Sequence, residues 1–178
     1  MAAFSAGQTL TAANLIAILP LFAIKSVDES VNSGSTGTTL QNDDALFVTV
    51  SANTNYKVDL ALLVVDGAGT GIDMKAAWTM PSSCKFDAAV TAPHANWVSP
   101  AGAANEVEWA GWQNETSTTT STKNWGTNNI SFSYHVRGLL RVGANSGTFQ
   151  FQWAQGNSSA SNLTVKSGSL LTLTPLLS

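Results

Sequence analysis

The stretch "GTFQFQWAQ", residues 147–155, sets a large aromatic at every second position: Phe149, Phe151 and Trp153. Thr148, Gln150, Gln152 and Ala154 fall between them. Successive side chains of a strand point to opposite faces, so this pattern predicts a strand with one apolar face and one polar, uncharged face. A face turned to bulk water ordinarily carries Lys, Glu or Arg. A face of Thr and Gln raises the question of what it meets.

The same period recurs outward from this strand. In "YKVDLALLVV" (56–65), Tyr56, Val58, Leu60, Leu62 and Val64 share one face. The other face passes from Lys57 and Asp59 to Ala61, Leu63 and Val65, as expected of a strand that enters the centre of the core. "ISFSYHVRGLLRV" (130–142) sets Ile130, Phe132, Tyr134 and Val136 against Ser131, Ser133, His135 and Arg137. "FAIKSV", "LFVTVS", "EVEWAGW" and "LTVKSGSLLTL" read as further strands, as does "DMKAAWTM", which Pro81 ends. About eight to ten strands without a long helix predict an all-β fold, an antiparallel β-sandwich or jelly roll. Ahead of it, Thr11 is a candidate N-cap for a short helical turn over "AANLIAIL" (12–19), closed by Pro20. The expected division is an N-terminal extended arm, residues 1–21, and a β-sandwich domain, residues 22–178.

Of the 178 residues, 11% are charged and 44% hydrophobic, against about 25% charged in an ordinary soluble domain. Ser, Thr, Asn, Gln and Gly supply the polarity, which suits a protein packed against neighbours. The net charge of −3 gives no basic footprint for nucleic acid. Cys84 is alone, so an internal disulfide is excluded. The apolar run Leu15–Ile24, broken by Pro20, is too short for a membrane span and lacks the basic flank of a signal peptide. Leu10, Leu15, Ile16, Ile18 and Leu19 make the arm a candidate anchor, packed on its own domain or inserted into a partner.

Catalytic and metal signatures are weak. His94 and His135 stand far apart without a Cys partner, and Asp43–Asp44 lacks Ca²⁺-loop spacing. Glu106 and Glu108 have the spacing of a carboxylate pair on one strand face, but a solvated edge accounts for them as well. No nucleophile elbow or phosphate loop is present. The expectation is a protein that is not an enzyme and needs no cofactor or metal. Trp97, Trp109 and Trp112, in "NWVSPAG" and "EWAGWQN", are the candidates for stacking on a glycan.

"AGQTLTAANL", "SVDESVNS", "TTLQNDDALFVTVSANTNYKVDLALLV", "DMKAAWTMPS" and "LLRVGANSGTFQFQWAQGNSSASNLTVKSGSLLTL" together resemble a family of small virion proteins of tailed bacteriophages, particularly those of actinobacteria. The order of strands also resembles the trimeric jelly rolls of the tumour-necrosis-factor and C1q type. The resemblance implies a homotrimeric structural protein of the virion, assembled in the host cytoplasm. It implies a tail-associated appendage or a capsid decoration protein, attached to other virion proteins through its arm. A carbohydrate-binding host-adhesion module is the alternative. On this reading the Thr148, Gln150 and Gln152 face meets its own copies about a symmetry axis. Like charges there would repel, whereas amides and hydroxyls both donate and accept.

Overall fold

The computed structural model describes residues 11, 18–32, 37–67, 72–93, 107–125 and 131–176. Twelve strands run through them: β1 (Leu21–Ile24), β2 (Glu29–Val31), β3 (Gln41–Val50), β4 (Asn55–Asp66), β5 (Met74–Thr79), β6 (Lys85–Pro93), β7 (Val107–Glu115), β8 (Lys123–Trp125), β9 (Ser131–Arg141), β10 (Gly147–Gln155), β11 (Leu163–Val165) and β12 (Leu170–Leu176). They form two antiparallel sheets. One, of eight strands, follows the order β1-β12-β4-β9-β6-β7, with β11 pairing β2 and the far half of β4. The other, of four strands, follows β3-β10-β5-β8. The all-β sandwich expected from alternation is the observed fold.

Each sheet turns one alternate set of side chains inward, as sandwich packing requires. Tyr56, Val58, Leu60, Leu62 and Val64 of β4 are buried with Tyr134 and Val136 of β9 and Leu171 and Leu173 of β12. From the opposite sheet come Phe149, Phe151 and Trp153 of β10, with Met74, Ala76 and Trp78 of β5. Trp78 sits at the centre of an aromatic cluster. It stacks on Phe149 with ring centroids 4.5 Å apart and meets Phe86, Phe151 and Trp112 edge-on.

Buried side-chain bonds replace regular pairing where the chain leaves the sheets. Gln155, fully buried at the end of β10, donates from Nε2 to the carbonyls of Ser161 (2.8 Å), Ser159 and Val31, and its Oε1 accepts from Ser159 N. Its backbone N–H donates to Gly37 O. A Cβ on Gly37 would lie 2.7 Å from Asn32 O and 2.8 Å from Gln155 Oε1, so this approach admits only glycine. Asp28 performs a similar service outside. It pairs with Lys166 and accepts from Ser167 N at 2.8 Å, fastening the β1–β2 turn to the β11–β12 turn. The Lys166 bond first, then the Ser167 N–H, hold its carboxyl down to about 2. A folded pKa below the unfolded one gives stability that is present above about pH 4 and drains as the pH falls toward 2. The thermal midpoint of the wild type is therefore expected to drop more between pH 5 and pH 2 than that of Asp28→Asn. Parallel midpoint-against-pH curves for the two proteins would contradict this.

The expected short helical turn over residues 12–19 falls mainly outside the described residues. Ile18 and Leu19 form a turn and bend, and no helix occurs among the described residues. β1 begins at Leu21, the last residue assigned to the arm.

Candidate functional site

The two outer faces of the sandwich differ in kind. On the eight-stranded sheet, Lys57, Asp59, Lys85, Asp87, Arg137 and Arg141 fall on the outward positions of β4, β6 and β9. Asp59 pairs with Arg137 at 3.5 Å and Asp87 with Arg141 at 2.5 Å. The N–H of Asn114 and then Arg141 hold the Asp87 carboxyl below its usual range. This is an ordinary solvated surface. Toward β1 it turns apolar: Phe22 is 71% exposed and Ile24 58% exposed, next to Leu170 and near Leu63. A depression of about 390 Å³ lined by Leu63, Val65, Ser131, Ser133 and Lys166 lies on the same face.

On the four-stranded sheet, the rows turned away from the core run Thr49–Thr148, Phe47–Gln150–Thr79, Asn42–Gln152–Ala77 and Ala154–Lys75, with Ala77 and Ala154 fully covered. Lys75 is the one charge in these rows, and its Nζ is spent on Thr38 O at 3.3 Å. Thr49 and Thr148 are exposed, Phe47 is 45% exposed, and Gln150 and Gln152 are half-buried. The glutamine amides first serve their own chain. Gln150 Nε2 donates to Asp43 O at 2.9 Å and Gln152 Nε2 to Asn42 Oδ1 at 2.8 Å. Both brace an irregularity in β3. Gln150 pairs with Phe47 and Gln152 with Asn42, so residues 43–46 stand opposite Phe151 alone. Such a bulge re-aims side chains. Here it sends Asp43 into the interior.

Asp43 is fully buried and meets Lys25, which is 2% exposed, in the seam where β1 lies against β3. Lys25 Nζ stands 3.1 and 3.0 Å from Oδ1 and Oδ2 of Asp43 and 2.5 Å from Oε2 of Glu29. Asp43 Oδ1 also accepts from the N–H groups of Ala45 and Leu46, each at 2.9 Å, and Oδ2 from Trp153 Nε1 at 3.1 Å. Burial alone would lower the Lys25 pKa. The hydrogen bonds to Glu29 and Asp43, with their charges, outweigh it and raise the pKa above the ordinary lysine value. The backbone of Lys25 is fixed as well, bonding Ser169 O and Gly168 N across the β11–β12 turn. Gly168 has φ +89°, which glycine adopts without strain. The sequence pattern offered Asp43 only as a Ca²⁺-loop candidate, without the required spacing, and attached nothing to Lys25.

The remaining candidates scatter. Leu10, Leu15 and Ile16 lie outside the described residues; Ile18 is half-buried and Leu19 exposed just ahead of β1. Trp97, His94 and Glu106 also lie outside them, as do the side chains of Trp109 and Glu108, whose backbones are in β7. Trp112 requires a correction. It is 0% exposed, packs against Trp78, Phe86 and Trp125, and spends its Nε1 on Ser121 O at 2.7 Å. No ligand can stack on it. His135 is half-buried on the outer face of β9 and bonds Ser133 Oγ at 3.1 Å. Among the described residues no cluster of His, Cys, Asp and Glu could hold a metal ion. Cys84 is buried, and that burial pushes its thiol pKa up.

No protein-family model matches the sequence, and no curated protein matches it. Among solved structures, the Gt strain of infectious bursal disease virus is similar at 13% identity with a TM-score of 0.22, over 89% of this chain and 42% of that one. A VP2 subviral particle of the same virus is similar at 11% identity with a TM-score of 0.20, over 88% and 42%. The chain thus spans about two fifths of the length of these viral proteins. At such TM-scores the likeness bears on neither fold nor function.

Proposed function

We propose that the chain is a non-enzymatic structural subunit of a bacteriophage particle. It associates as a homotrimer through the outer face of its four-stranded sheet and joins other virion proteins through residues 1–21. The supporting observation is the contrast between the two outer faces. The same chain that carries paired charges on one sheet leaves the rows Thr49–Thr148 and Phe47–Gln150–Thr79 without any. Threonines and a half-exposed phenylalanine sit well against their own copies, where a charge would face its like. The anchoring segment continues past the arm, since Leu19, Phe22 and Ile24 extend an apolar surface along β1. A tail appendage and a capsid decoration protein both fit this description. The carbohydrate-binding alternative is left with Trp97 and Trp109.

The test is mass by light scattering and sedimentation, wild type beside Thr148→Arg. An exposed substitution of this kind changes stability by about 0.5 kcal/mol or less, so the variant is expected to keep its melting temperature. The wild type is expected to sediment as a trimer and Thr148→Arg as a monomer. A wild type that stays monomeric at micromolar concentration overturns the assembly. A chain lacking residues 1–17 is expected to fold and trimerise but to be absent from purified particles.

A further inference from the structure

We propose that Lys25 and Asp43 condense to an amide, joining Lys25 Nζ to Asp43 Cγ and so linking β1 to β3 covalently, with Glu29 as the catalytic proton carrier. Three features of the buried cluster support this. First, Nζ faces the carboxyl group evenly, 3.1 and 3.0 Å from its two oxygens, and both residues are shut away from water. Groups held this way react with effective molarities of roughly 10⁵–10⁸ M. Second, the two oxygens of Asp43 are differently equipped. Oδ1 accepts two backbone N–H groups, from Ala45 and Leu46, in the manner of an oxyanion site, while among the described residues Oδ2 holds Trp153 Nε1 besides the ammonium. Third, Glu29 Oε2 touches the reacting nitrogen at 2.5 Å, and its side chain is one-fifth exposed, at the rim of the cluster.

The bonds balance without any outside reagent. The Lys25 ammonium passes one proton to Asp43 Oδ2, 3.0 Å away, giving a neutral amine beside a neutral acid. Nζ attacks Cγ, and the negative charge that develops on Oδ1 falls on the Ala45 and Leu46 N–H groups. As the C–N bond forms, Glu29 removes a proton from Nζ and returns it to the Oδ2 hydroxyl. The Cγ–Oδ2 bond breaks, water leaves at the Glu29 rim, and Glu29 is again a carboxylate. One ammonium and one carboxylate have become one amide and one water. The product exchanges two buried charges, each costly to desolvate, for a neutral group whose oxygen keeps its two N–H donors.

Mass spectrometry of the folded, purified chain decides the matter. Lys25 and Lys57 are the first two tryptic sites. An acylated Lys25 resists trypsin, so peptides 1–25 and 26–57 are expected to be replaced by a single peptide 1–57, lighter by one water. Recovery of the two separate peptides at full mass overturns the proposal. So does loss of water within 26–57 with Lys25 still cleaved, which marks cyclisation of an aspartate instead. Glu29→Gln keeps the shape of the cluster but not the base, and it is expected to yield the two separate peptides. If that variant links as fully as wild type, Glu29 is not the proton carrier.

Discussion

Relative to the chain in which Lys25 and Asp43 stand as an ion pair, Asp43→Ala is expected to lose about 3–5 kcal/mol of folding stability, the range for removing one partner of such a buried pair. Much of the stability of a typical domain, about 5–15 kcal/mol, would go with it. The variant leaves Lys25 buried with Glu29 as its remaining partner, and it orphans the N–H groups of Ala45, Leu46 and Trp153. Lys25→Met is expected to be milder, because the carboxylate it strands keeps those three donors. Restoring charge balance should recover stability, so Asp43→Leu combined with Lys25→Met is expected to unfold at higher urea than Asp43→Ala. Urea titrations followed by tryptophan fluorescence measure the order. Each of these variants lacks the Lys25–Asp43 amide, so their ranking is independent of whether the wild type carries it. Equal midpoints for Asp43→Ala and Lys25→Met would show that Asp43 does not balance Lys25.

Trp78→Ala is the second large effect, about 3–5 kcal/mol for emptying an aromatic site in a closed core. Four aromatic neighbours lose a partner at once, Phe149 the most, since it stacks on the indole at 4.5 Å. Trp78→Phe provides the contrast. Among the described residues the buried Nε1 of Trp78 finds no hydrogen-bond partner, so phenylalanine removes an unsatisfied donor along with part of the ring. The expected net cost is about 1 kcal/mol. If Phe costs nearly as much as Ala in thermal or urea unfolding, the indole nitrogen has a use that the packing does not explain.

Strand alternation made most of the sandwich legible. Tyr56–Val64 and Phe149–Trp153 each announced their inward faces, because a period of two survives wherever a strand stays regular. The central cluster was hidden because β3 does not stay regular. Inside "QNDDALF" the bulge turns Asp43 inward, and no propensity distinguishes that aspartate from a turn residue. Its partner lies 18 residues earlier, across a sheet-to-sheet seam invisible to any local pattern. Trp112 misled for a related reason. Its segment looked like an exposed aromatic patch, yet Trp78, Phe86 and Trp125 come from distant strands to bury it. The scarcity of charge on the outer face of the four-stranded sheet was legible as composition. That face's first occupant, the braced backbone of β3, was not.

If the proposed attachment through residues 1–21 holds, β1 is the first strand to bear load. A pull on that segment reaches β1 first, and Leu21 faces Leu173 at the end nearest the pull. The four-residue ladder would then unzip one rung at a time, which resists tension poorly. Lys25 follows the last rung directly, gripped by the Gly168–Ser169 turn and by Asp43 in the opposite sheet. Peeling therefore halts there, and the strain passes into both layers of the sandwich together.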